Sequence, residues 1–239
     1  MNIGGSVDVQ SNGEKRVVQY LANYLNKQTV PVIFDVGANV GKYALNVLAV
    51  FGEDVDLYCF EPSKTAFTEL SQNLRSYKQV KICNFGFGAR REVVSLYTDS
   101  PGSGMGSIFN RRVSHLDFEM KYREEIELTR LDDFCREQGI NHIHLLKLDV
   151  EGNELNVLEG ASELLTSDSI DLIQFEFGGC NIDSRTYFQD FFYLLNPNYR
   201  IYRIVGNGIR PIDKYKESYE IFLTANYLAV SRHSFERKN

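Results

Sequence analysis

The chain has 239 residues, of which 43% are hydrophobic and 24% charged, and a formal net charge of −6. That length and balance suit one globular domain with a sizeable core, and the acidic balance argues against a nucleic-acid backbone or an anionic membrane as the main partner. No apolar run reaches the roughly 18 residues of a spanning helix, residues 1–12 lack signal-peptide character, and Cys59, Cys83, Cys135 and Cys180 show no C-x-x-C spacing, so a cytoplasmic protein with reduced thiols and no structural zinc is expected.

Residues 1–13 are small and polar and read as a flexible leader. Val17, Val18, Leu21, Tyr24 and Leu25 fall at helical spacing, which predicts an amphipathic helix over 14–28. Apolar runs then alternate with helical patterns. Strands are predicted at 31–37, 56–61, 80–85, 144–150 and 171–177, and helices at 41–51, 64–76, 131–138 and 152–166. Alternating βα units imply a parallel sheet with right-handed crossovers. Strand-like runs at 93–98 and 125–129 flank a Gly/Ser-rich insertion, residues 100–123. Within it, Pro101 to Ser107 reads as a lid or as an ordinary surface loop.

Tyr187 to Leu195 reads as a helix, with Phe188, Phe191 and Phe192 as core. Arg200–Val205 and Ile221–Val230 read as an antiparallel hairpin at the sheet edge, joined by residues 206–218. The segment with Asn207, Arg210, Asp213 and Tyr215 mixes polar and aromatic groups, which assigns 184–231 to the acceptor side. One domain over 14–231 and a tail over 232–239 complete the expected organisation.

Two segments carry the chemistry. Val32 to Gly41 is an apolar run ending in Asp35 and a G-x-N-x-G turn, and Cys59-Phe60-Glu61-Pro62 ends the next apolar run. A glycine turn followed by an acid about 20 residues later is the layout of a nucleoside-binding α/β domain. A dinucleotide pyrophosphate calls for glycine where this turn has Asn39. S-adenosylmethionine, with a ribose and a sulfonium but no phosphate, fits better than NAD. Glu61 is the candidate for the ribose diol, and Asp35 either orders the turn or holds the methionine amino group. Gly37, Ala38, Asn39, Gly41, Pro62, Ser63 and Asp149 complete the candidate cofactor set.

With Phe34-Asp35-Val36-Gly37-Ala38-Asn39-Val40-Gly41, Phe60-Glu61-Pro62, Thr129-Arg130-Leu131-Asp132-Asp133-Phe134 and Leu146-Lys147-Leu148-Asp149-Val150-Glu151-Gly152-Asn153-Glu154, followed by Phe175-Glu176-Phe177, the chain resembles the FkbM-type S-adenosylmethionine-dependent methyltransferases over roughly residues 30–180. The resemblance implies a seven-stranded, Rossmann-like α/β sheet with helices on both faces and an antiparallel C-terminal edge. It also implies O-methylation of a sugar or glycan, or of a secondary-metabolite hydroxyl or carboxyl. Asn84-Phe85-Gly86-Phe87-Gly88 departs from the small-residue-then-acid pattern of such enzymes, so Asn84 and Gly86 are the adenine-side candidates.

Asp149 and Glu176 close predicted strands and Glu151 opens the next helix, so all three can converge beyond the strands' carboxyl ends. They are the candidate catalytic acids, because a sugar hydroxyl needs a base acting in concert with transfer. Asp149 and Glu176 are also candidate ligands for Mg²⁺ or Mn²⁺. The bland alternatives are a Lys147 ion pair for Asp149 and helix capping for Glu151. His142 and His144 read as structural, and His115, in the insertion, as a reserve base. The expected partner is a small-molecule or glycan acceptor, with self-association into a homo-oligomer left open. An NAD-dependent oxidoreductase is disfavoured by Asn39, and a non-catalytic cofactor-binding module by the presence of the acids.

Overall fold

The computed structural model describes residues 14–25 and 29–233. The leader 1–13, the last three positions of the first predicted helix and most of the tail lie outside them.

Elements follow in chain order: α1 Glu14–Tyr24, β1 Val32–Val36, α2 Lys42–Phe51, β2 Asp56–Phe60, α3 Lys64–Leu74, β3 Val80–Cys83, β4 Gly86–Phe87, β5 Glu92–Thr98, β6 Tyr122–Thr129, α4 Leu131–Gln138, β7 Ile143–Leu148, α5 Glu154–Glu159, α6 Ser162–Thr166, β8 Ile170–Phe177, α7 Cys180–Ser184, α8 Phe188–Leu195, β9 Tyr199–Val205, β10 Gly208–Ile212 and β11 Ala225–Ser231. The main sheet has eight strands in the order β10-β9-β11-β8-β7-β1-β2-β3. Its β8-β7-β1-β2-β3 part is parallel, and β11, β9 and β10 add antiparallel pairings.

Side chains alternate across the strands and so feed two cores. Ile33, Leu57 and Leu145 point to one face, where they meet Val18 and Leu21 of α1, Ala44 and Val47 of α2 and Leu70 of α3. Phe34, Phe60 and Leu146 point to the other, against Phe134 of α4, Val157 of α5, Leu164 of α6 and Phe191 of α8. Phe188, Phe191 and Phe192 are core, as their spacing predicts. The four cysteines are free, three of them buried. No helix among the described residues is long and apolar enough to cross a membrane.

Three expectations are corrected. The main sheet has eight strands rather than seven, because residues 208–212 of the predicted connection form β10. The edge hairpin is therefore β9–β10, while β11 sits between β9 and β8 and starts at Ala225 rather than Ile221. The helix predicted over 152–166 is two short helices, α5 and α6. At the break, a Cβ on Gly160 would lie 2.2 Å from the Gly88 carbonyl oxygen. There the Asp132 carboxylate accepts bonds from the amides of Glu163 and Leu164, both at 3.1 Å, and restarts the helix as α6. A smaller sheet, β4-β6-β5, carries the insertion between its last two strands in chain order.

Candidate active site

The sheet changes direction between β1 and β7, which leave opposite neighbours, β2 and β8, on their far sides. The carboxyl ends of such a pair form the usual ligand crevice of an open α/β sheet. Here they abut. Val36 pairs with Leu148, the Asp149 amide bonds to the Val36 carbonyl at 3.0 Å, and a Cβ on Gly37 would lie 1.8 Å from the Asp149 carbonyl oxygen. With φ at 80°, Gly37 meets both demands only as glycine.

Above this junction lies a cleft of about 610 Å³, counting its open mouth. Gly37, Asn39, Glu61, Pro62, Ser63, Gly86, Asp149 and Glu151 of the sequence candidates line it, together with Phe87, Asn153 and an apolar wall of Leu96, Ile108, Ile126 and Leu128. Glu61 is buried, and its two carboxylate oxygens accept the amides of Asn39 at 2.9 Å and Ser63 at 2.8 Å. Those bonds fix the acid's orientation and leave lone pairs facing the cleft. Burial pushes Glu61 up to about 7, and the two amide bonds hold it back from a larger rise. The Ser63 hydroxyl is buried without a hydrogen-bond partner among the described residues.

Five candidates stand behind the lining rather than in it. Asp35 is fully buried and paired with Lys147 at 3.2 Å. Burial raises its carboxyl and Lys147 opposes the rise. Asn84 donates to the carbonyls of Glu61 at 2.9 Å and Pro62 at 3.1 Å, fastening the loop that carries Glu61. Ala38 packs in the core. Gly41 begins α2 against Leu70. Glu176 reaches the acids from β8.

The predicted trio does converge. Single carboxylate oxygens of Asp149, Glu151 and Glu176 lie within 4.8 Å of one another. Asp149 also pairs with Lys147 at 3.3 Å, the ion pair of its alternative reading. Glu151 is not a helix cap. It sits in a turn with φ at 52°, before α5 begins, a strained conformation of the kind that collects at functional sites. The turn is held by Glu154, whose buried carboxylate accepts the Val150 amide at 2.9 Å and the Gly152 amide at 3.1 Å. Burial pushes Glu154 up to about 7.

The insertion is pinned rather than loose. Ser107 forms a two-way backbone bridge with Tyr97, and its hydroxyl donates to the Glu151 carbonyl at 2.6 Å. Arg111 donates to the Glu151 carboxylate at 2.7 Å. Ser107, Asn153 and Glu154 lie in segments singled out above but without roles of their own, and Arg111 was not singled out. For Arg111 the available signal is the arginine pair Arg111-Arg112.

Other candidates lie elsewhere. His115 is exposed, in a short turn over Ser114–Leu116. His142 pairs with Asp171 at 3.0 Å, and His144 Nδ1 accepts the Val32 amide at 3.0 Å, so both are structural at the amino ends of the strands. Asn207, Arg210 and Asp213 are exposed and outside the cleft lining, and the Tyr215 hydroxyl donates to Glu220 at 2.8 Å. The acceptor-side assignment of that segment therefore has no support in the lining.

The family model for the methyltransferase FkbM domain matches residues 35–201. The chain belongs to the FkbM methyltransferase family. Among curated relatives of this FkbM-domain protein, the 2-O-methyltransferase NoeI of Sinorhizobium fredii is 31% identical over 147 residues, covering 57% of this chain and 59% of that protein. The 31-O-demethyl-FK506 methyltransferase FkbM of Streptomyces tacrolimicus is 30% identical, over 60% of this chain and 64% of that one. The hexuronic acid methyltransferase AglP of Haloferax volcanii is 25% identical, over 70% and 64%. The chain thus matches somewhat under two thirds of each of these relatives. The N-terminal domain of human METTL16 in complex with SAH shares the fold at a TM-score of 0.50 and 12% identity, over 95% of this chain and 71% of that one.

Proposed function

We propose that the chain binds S-adenosylmethionine in this cleft and methylates an oxygen of a small polyhydroxylated acceptor, a sugar or glycan before a secondary-metabolite hydroxyl or carboxyl. The observation that carries the reading is Glu61, held by two backbone amides with its free lone pairs toward the cleft. A 1,2-diol donates two O–H groups, and an ionised carboxylate accepts such a pair strongly. The partnerless Ser63 hydroxyl offers a further bond beside it, the apolar wall opposite suits a flat base, and the Gly37 turn lets a ligand approach backbone. These features fit the donor. The names of the relatives, each an oxygen or a uronic acid methyltransferase, support an oxygen acceptor.

When bound, S-adenosylmethionine supplies an electrophilic methyl group whose bond to sulfur breaks as the bond to oxygen forms, leaving a neutral thioether. The chain's own residues must aim the oxygen and take its proton. Asp149 and Glu151 line the cleft and Glu176 stands beside them, so the proton passes to one of these carboxylates. Their spacing suits a shared Mg²⁺ or Mn²⁺ as well. Against that, the Arg111 guanidinium already lies 2.7 Å from Glu151 and would repel a second cation there. The reading therefore takes the acids as proton acceptors.

Calorimetry with S-adenosylhomocysteine tests the donor site: the wild type binds, and Glu61→Ala weakens binding by at least about tenfold, since a bond to a charged group is worth about 1.5–3 kcal/mol. Absence of binding in the wild type ends the reading. S-adenosylhomocysteine release across nucleotide sugars, free sugars and glycolipid fragments, with and without EDTA, then identifies the acceptor class.

A further inference from the structure

Three sides of the cleft are fixed. Its floor is the abutting ends of β1 and β7, the Glu61 loop is fastened by Asn84, and Leu96, Ile126 and Leu128 belong to paired strands. The fourth side comes from the chain after β5, where Ser103, Gly104 and Gly106 complete the lining.

That side is built differently. Residues 99–106 leave β5 and return at Ser107, and the two-way Tyr97–Ser107 bridge, at 2.8 and 3.0 Å, closes them into a loop at its neck. The neck is tied further by the Ser107 hydroxyl, which donates to the Glu151 carbonyl at 2.6 Å. The body of the loop has no such ties. Among the described residues its hydrogen bonds stay within it: the Ser103 amide to the Ser100 carbonyl, the Met105 amide to the Ser103 hydroxyl and the Ser100 hydroxyl to Asp99. Two glycines seat it on the rim. A Cβ on Gly104 would lie 3.3 Å from Asn39 Nδ2, and one on Gly102 would lie 3.0 Å from Thr65 Cγ2, on α3. The loop therefore crosses from the β1 turn to the helix that follows Glu61. Such packing is weak contact by contact, and segments with few anchoring bonds are the ones that open at low cost.

We propose that residues 99–106 form a movable roof over the donor: they lift about the Tyr97–Ser107 neck to admit S-adenosylmethionine and close on it before transfer. The proposal rests on the methyl-transfer reading above. Because the neck carries the Ser107–Glu151 bond, the turn that holds Glu151 keeps its place while the roof is up. The donor thus exchanges on its own side of the cleft rather than past the acids.

The test is a tether near the middle of the loop. The Cβ position of Gly102 lies 3.6 Å from the Thr65 Cβ, within the roughly 3.5–4.5 Å spacing of a disulfide, so Gly102→Cys with Thr65→Cys can lock the roof. Thr65 is exposed and outside the cleft lining. Uptake and release of radiolabelled S-adenosylhomocysteine are timed on the same protein, oxidised and then reduced. Oxidising the empty protein should slow uptake by at least about tenfold, and oxidising the loaded protein should slow release by a similar factor. Dithiothreitol should restore both rates, and Gly102→Cys alone, oxidised alike, should show neither effect. Equal rates in the two forms of the double variant, with the cross-link verified by mass spectrometry, overturn the proposal.

Gly102 holds φ at 77°, so should the pair fail to fold or to link, hydrogen exchange of the wild type decides. S-adenosylhomocysteine should slow exchange at residues 102–106 by at least about tenfold while the Tyr97 and Ser107 amides stay as they were. Protection that is absent, or that falls equally on the neck, overturns the roof. A wild type that takes up no S-adenosylhomocysteine ends the methyl-transfer reading; normal binding at unaltered rates ends only the roof.

Discussion

Replacing Gly37 by alanine tests whether the cleft floor is set by backbone contact. The new Cβ would lie 1.8 Å from the Asp149 carbonyl oxygen and 2.8 Å from its carbon, and both are main-chain atoms that no rotamer change can move. The turn must therefore separate from the end of β7. That movement stretches or breaks the bond from the Asp149 amide to the Val36 carbonyl, now 3.0 Å, at about 1 kcal/mol. Holding a non-glycine residue at φ 80° adds about 1–2 kcal/mol. The sum is about 2–3 kcal/mol before any displacement of the strand is counted. Gly139→Ala supplies the control, because Gly139 also has positive φ (67°) but nothing within 4 Å of its would-be Cβ. It should cost only the conformational part, about 1–2 kcal/mol. Urea unfolding of both variants measures the difference, and calorimetry should show S-adenosylhomocysteine affinity reduced by at least about tenfold in Gly37→Ala alone. Equal destabilisation of the two variants, with donor affinity intact in Gly37→Ala, would refute the argument that backbone overlap forces the glycine.

Glu61 must be ionised to accept a diol, and burial has raised it to about 7. Donor affinity should therefore fall as pH drops below that value, by up to about tenfold per unit, and calorimetry across that range with Glu61→Gln as a pH-insensitive reference checks it. Glu61, Glu151 and Glu154 all sit above their ordinary 4.5, at about 7, 8 and 7. Their joint contribution is fully present below that ordinary value and is lost as pH rises through 7 to 8, because the folded state binds these protons more tightly than the unfolded chain. Urea titrations should show the fold taking up protons over that window, and release instead would contradict it. Ser107→Ala removes the 2.6 Å bond to the Glu151 carbonyl, which should cost about 1 kcal/mol and hasten proteolysis within residues 100–123; an unchanged cleavage rate there would show that the backbone bridge to Tyr97 suffices.

What the sequence disclosed and what it hid divide by distance along the chain. The βα alternation and the Gly37-to-Glu61 spacing are local or semi-local patterns, and each maps onto β1, α2 and β2 with small shifts at the ends. β10 escaped because Pro211 interrupts an otherwise short run, and proline belongs in a strand only at an edge; β10 is the edge. Glu154 reads as a helix residue by spacing, but its carboxylate closes the preceding turn, a job visible only once the Val150 and Gly152 amides are in place. Asp132 likewise belongs to a family motif whose use is architectural, capping α6 from α4.

The acids show the limit most clearly. Their convergence could be inferred from strand ends alone, because parallel strands deliver their last residues to one edge of the sheet. The cation that meets Glu151 could not, because it lies 40 residues away in sequence, in a segment with no periodic pattern. Asp149 and Asp35 share Lys147, so their charges are already offset from beneath the cleft. Glu151 lacks that support and is offset from above, by the insertion. The two arrangements differ in origin: one cation comes from the sheet itself, the other from the insertion.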